Sequence, residues 1–309
     1  PVDWPGAGLL AGGLAMFLLG VTKGPEWAWS ETAFALIGAG IVILLLFVVR
    51  ELTARYPLVD LSLFKVREFA AGQTAGLFAM MSLASMMFLF PFYWQGIRGY
   101  EAQEAGLLML PIPMTLMVLA PISGRLSDRW GSRGIATVGL LTIITGLFLL
   151  SQLTPDMPVW QVLVRLMVFG AGIGMFIAPN NNGVMSAVPG HKRGVAAGLL
   201  GMFRFTGQSV GVALGGTVFA LFATAGAGSA FNLESLPSPE MMTLMADDPE
   251  MLAAFRSAFV DGLTGVALAA IPFAAVAAWL SFLRGSKPGS GPDESPAEEA
   301  RDRAVAEAD

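Results

Sequence analysis

The chain has 309 residues, of which 55% are hydrophobic and 13% charged, well below the roughly 25% charged residues of soluble domains. At a mean hydropathy of +0.66 there are too few polar side chains to cover a globule in water, so lipid is the solvent for much of the molecule. Cysteine is absent and His191 is the single histidine, which excludes disulfides, thiolate metal sites and a histidine metal cluster. A formal charge of −5 argues against nucleic acid as a partner.

A membrane-crossing helix needs about 20 mainly apolar residues, because its backbone polar groups must be satisfied inside the helix. Eight stretches qualify, at about 6–22, 32–49, 69–94, 105–124, 135–153, 158–179, 195–222 and 258–283. The expected fold is therefore an all-α polytopic membrane protein. Residues 69–97 and 262–283 carry no charge, while Arg165 and Arg204 interrupt two other spans. One set of connecting segments holds Arg50, Arg55, Lys65, Arg67, Arg125, Arg129, Arg133, Lys192, Arg193 and Arg284; the opposite set holds Lys23, Arg98 and Arg256. By the positive-inside rule both ends of the sequence face the cytoplasm. The seven tryptophans fall at or near segment ends, where amphipathic rings favour the headgroup level. With Pro1 first and no basic stretch before an apolar one, the sequence reads as an internal fragment.

In chain order, the third span is rich in soft and aromatic side chains, among them Phe78, Met81 and Met86, with Gln73 as a polar insertion. Thioethers and aromatic faces accommodate varied apolar ligands, although lipid contact or core packing accounts equally for most of them. Glu104 opens the fourth span. Between the fourth and fifth spans stands GRLSDRWGSRG, where Asp128 among Arg125, Arg129 and Arg133 suggests an ion-pair latch, or plain positive-inside anchoring. Arg165 is close enough to the external end to snorkel, or it lines a substrate path. Asn180, Asn181 and Asn182 close the sixth span as a C-cap and turn, or as a polar gate. In the seventh span Gly207, Gly211 and Gly215 share one face, a spacing that lets backbones approach closely in lipid; Gly170 with Gly174 and Gly194 with Gly198 repeat it. Arg204 lies about 15 Å along this helix, with Gln208 one turn on, either as a buried pair or cap or as a gating charge. Residues 223–257 read as an acidic external loop with a short helix near 239–256, and Asp261 starts the eighth span. The tail 285–309 is too polar to fold alone. No carboxylate lies deep in a span, so Glu104 and Asp261 are the nearest candidates for proton coupling. There is no phosphate-cradling Lys-Ser/Thr loop, which argues against an ATP-driven pump.

The spacing of Gly124, Leu126, Asp128, Arg129, Gly131 and Arg133 resembles the G-x-L-x-D-R-x-G-x-R loop signature of the major facilitator superfamily. PLVDLSLFKVREF at 57–69 and APNNNGVMSAVPGHKRGVAAGLLGMFRFTGQSVGVALGG at 178–216 resemble its 14-helix drug–proton antiporter branch. The resemblance implies two linker helices in 1–56, the six-helix C-terminal transporter bundle in 57–284, a cytoplasmic tail in 285–309, and an absent N-terminal bundle as partner. It implies a plasma (inner) membrane protein that exports drugs or other amphipathic or cationic compounds in exchange for protons, without a cofactor or metal. It also places Gln73, Phe78, Met81, Met86 and Asn180 near the central cavity, and the glycine stripe of the seventh span against the other bundle. A membrane-embedded enzyme would need a nucleophile and base within reach, and no carboxylate pair occurs at membrane depth; a non-transporting sensor on the same fold is the other alternative.

Overall fold

The computed structural model describes residues 3–54, 58–227 and 248–284. Among them all regular structure is helical: α1 (Trp4–Lys23), α2 (Glu31–Thr53), α3 (Arg67–Phe92, continued by a π-helical turn Tyr93–Ile97), α4 (Ala102–Leu108), α5 (Pro111–Trp130), α6 (Ser132–Leu150), α7 (Val159–Ser186), α8 (Arg193–Ala227) and α9 (Pro249–Phe282). Among the described residues eight spans are long and apolar enough to cross a membrane, α4 and α5 together forming one. The all-α, eight-span architecture expected from hydropathy is thus the one observed.

Local chemistry sets the helix ends. α4 starts at a capping box in which Glu101 and Glu104 answer each other's backbone N–H groups, and it yields to α5 where Pro111 and Pro113 lack the donors a continuous helix needs. Pro158 precedes α7. Asp248 caps α9 by accepting from Glu250 N and Met251 N.

Several expected boundaries move. The stretch 124–134 is helical except at Gly131, whose φ of +87° makes a one-residue corner between α5 and α6. The three asparagines do not cap the sixth span, because α7 continues to Ser186 and ends at Ala187. Of the short helix expected near 239–256, residues 239–247 lie outside the described residues, while 249–256 are the first turns of α9 itself. The tail 285–309 also lies outside them.

Close packing at glycine builds the bundle. A methyl at Gly139 or Gly172 would meet backbone of the facing helix in the α6–α7 pair, and one at Gly170 or Gly174 would meet α5. α3, α8 and α9 form the second packed group, joined to the first through α9 on α6 and α3 on α7. The large core runs through Leu89, Phe90, Trp94, Leu140, Phe169 and Phe259. The α1–α2 hairpin packs on α8. Trp29 Nε1 donates to Thr217 Oγ1 at 3.2 Å at one end, and a smaller apolar cluster including Phe47, Leu63, Val184 and Leu199 joins the other.

Candidate functional site

α3, α7 and α8 converge on a cleft lined by Gln73, Met80, Phe176, Asn180, Asn181 and Arg204, with a volume of about 20 Å³, room for about one water. Gln73 is 1% exposed and Asn180 4%, so two amides are held inside the bundle. The Gln73 Nε2 has no hydrogen-bond partner. Arg204 is exposed and packs over the Phe205 ring at 4.9 Å. Gln208 reaches Met80 Sδ on α3 at 3.9 Å.

Behind the cleft lies a residue that sequence reasoning counted only as a topology charge. Arg284, just past the end of α9, is 1% exposed, and its Nη2 donates to Asn180 Oδ1. It passes between Gly72 of α3 and Gly183 of α7, where a methyl would stand 2.9 Å and 3.5 Å from its terminal nitrogens. Its Nε and Nη1 are buried without acceptors. Burial pushes the guanidinium down to about 10, with the Glu68 carboxylate acting the other way, so it stays charged at neutral pH. The available signal was a single arginine closing the charge-free run 262–283, with small residues on α3 and α7 to admit it.

The other sequence candidates scatter. Met86 is fully buried in the core, and Phe78 stacks on Phe273 at 6.3 Å. Met81 lines a second small gap with Ser85, Gly211 and Phe273. Arg165 donates to the Leu149 carbonyl at 2.9 Å and the Gln161 carbonyl at 3.1 Å, which commits it to closing helix ends. Glu104 accepts from Glu101 N at 3.2 Å, and Asp261 is exposed. The glycine stripe expected to meet another bundle is taken up inside this one: methyls at Gly207 and Gly211 would stand 2.5 and 2.3 Å from the Leu77 and Met81 carbonyls of α3, and one at Gly215 would meet Ser85.

Around the α5–α6 corner, Asp128 accepts from Asn182 Nδ2 of α7 at 3.3 Å, and the Arg133 guanidinium lies 4.4 Å from the Phe282 ring of α9. The motif thus reaches across helices. Leu126 and Gly124 are partly buried on α5, while Arg125 and Arg129 are exposed. Nearby, Lys192 bonds Asp60 at 2.5 Å. That contact, with the Ser62 hydroxyl and then its amide, holds the Asp60 carboxyl down at about 2.

The chain matches the Major Facilitator Superfamily over residues 4–212. It is 30% identical to riboflavin transporter RibZ of Clostridioides difficile (strain 630), across 71% of this chain and 47% of that protein. It is 28% identical to the tetracenomycin C resistance and export protein of Streptomyces glaucescens, across 71% and 41%. It therefore spans less than half the length of these relatives. Among solved structures, a bacterial homolog to the human lysosomal transporter Spinster, inward-facing and unoccupied, superposes with a TM-score of 0.59 at 18% identity, covering 88% of this chain and 67% of that one. At that identity the likeness is one of fold.

Proposed function

We propose, on the premise that this chain belongs to the Major Facilitator Superfamily, that it supplies two linker helices and one six-helix bundle to a 14-helix drug–proton antiporter. In this reading a second bundle of the same protein faces α3, α7 and α8, and the two rock about a midplane site to export amphipathic small molecules. Both ends of this chain face the cytoplasm, and the protein resides in the plasma (inner) membrane. The main proton-carrying carboxylates belong to the second bundle.

The observation that carries the reading is the cleft at Gln73, Asn180 and Arg204. An unanswered amide and a guanidinium are expensive at membrane depth and usually mark a solute path; a bundle built only to pack would do better with leucine at position 73. The resistance-and-export relative supports export as the direction. The test is the full-length protein in inverted vesicles, where an imposed proton gradient should drive accumulation of a fluorescent drug. No gradient-dependent movement would sink the antiporter reading. Asp128→Asn should slow this transport while leaving membrane insertion intact, and transport at the wild-type rate would reduce the α5–α6 corner to a topology signal.

A further inference from the structure

Granted the transport function proposed for this bundle, on which the inference rests, the charge pattern of the same cleft speaks to its ligand. α7 and α8 contain no carboxylate, and α3 has one, Glu68, in its first turn. Glu68 acts on Arg284, the guanidinium behind the cleft. What faces the cleft is Arg204 and three amides, from Gln73, Asn180 and Asn181. Gln73 Nε2 in the cleft and Arg284 Nε and Nη1 behind it are buried and unanswered donors, while Asn180 Oδ1 is already taken by Arg284.

On this bundle's side of the site a ligand ammonium would meet the Arg204 guanidinium, with Arg284 buried behind it, and no carboxylate, leaving its desolvation uncompensated there. A carboxylate oxygen would satisfy the Gln73 amide and face Arg204 in a charge-assisted contact. Met80, Phe176, Leu200 and Phe203 give the remaining walls an apolar character. At one water's volume the cleft admits the polar tip of a ligand and leaves its body outside. We infer that this bundle supplies an anion-selective subsite, and that the transported molecules are amphipathic organic anions, a carboxylate on an apolar body.

The experiment uses full-length protein in proteoliposomes under a proton gradient, with two probes of equal chain length: dansyl-undecanoate and its dansyl-trimethylammonium counterpart. The carboxylate should move at least about tenfold faster, a difference of about 1.4 kcal/mol. Arg204 is exposed, so its replacement disturbs little packing: Arg204→Glu should abolish the preference and Arg204→Lys should keep it. Gln73→Leu, similar in volume, should slow the carboxylate more than the ammonium and so narrow the preference. Equal rates, a faster ammonium, or a preference that survives Arg204→Glu overturns the anion subsite and leaves transport standing. Movement of neither probe, with no movement of other drugs, overturns the transport reading and this inference with it.

Discussion

Gly211 and Gly198 sit on the same helix and look alike in the sequence, each belonging to a pair four residues apart. Their surroundings differ completely. A methyl at Gly211 would stand 2.3 Å from the Met81 carbonyl, whereas Gly198 has nothing within 4 Å. Backbone cannot yield as a side-chain tip can, so Gly211→Ala should cost about 1–3 kcal/mol through overpacking. Gly198→Ala meets no obstacle and should be neutral or stabilising by up to about 1 kcal/mol from helix propensity. Thermal unfolding in detergent separates the two, and equal melting temperatures would contradict the packing described. The spacing identified a helix face able to approach a neighbour, but which neighbour takes it depends on tertiary order, which a periodicity does not contain. The same distinction separates Gln73, Asn180 and Arg204, named as a polar insertion, a possible polar gate and a charge within a span and found together, from Arg284, whose burial only the fold reveals.

At the level of helices, hydropathy reports immersion in lipid and says little about where backbone hydrogen bonding stops. That is why the eight spans were legible while α7 runs through Asn180, Asn181 and Asn182, and the stretch 124–134 is helix on both sides of one residue. Gly131, at φ +87° and ψ 149°, occupies backbone space that side chains almost never enter. Gly131→Ala should therefore cost about 1–3 kcal/mol, and by turning α6 differently it should weaken the Asp128–Asn182 contact. Gly134, three residues on, has open space around it and serves as the control. If both alanine variants unfold at the same temperature in detergent, the corner is not strained for a side chain.

For the molecule as a whole, the 58–66 segment is strapped to the α7–α8 connection by Asp60 and Lys192. Because the Asp60 carboxyl is held at about 2, against an ordinary value of 3.8, the pair contributes its full stability above pH 3.8. That contribution is lost as the pH falls through about 2. The difference in melting temperature between the protein and Asp60→Asn should accordingly stay constant from neutral pH to about 4, then narrow and vanish in stronger acid. A difference that already closes between pH 6 and 5 would mean that the strap is not held by this carboxylate.

α8 has 35 residues and α9 has 34, about 51 Å of rod each at 1.5 Å per residue, against a hydrocarbon layer of about 30 Å. The surplus explains how Arg256 and Asp261 share a continuous helix with a charge-free run long enough to cross a membrane: both precede that run, which starts at Gly262. Mechanically, such a rod is a pointer. A small tilt of the buried portion becomes a larger sweep at the free end, so a distance label on the first turn of α9, paired with one on the facing bundle of the full-length protein, would register rocking of this bundle with amplified displacement. This chain, lacking cysteine, offers no competing site of its own.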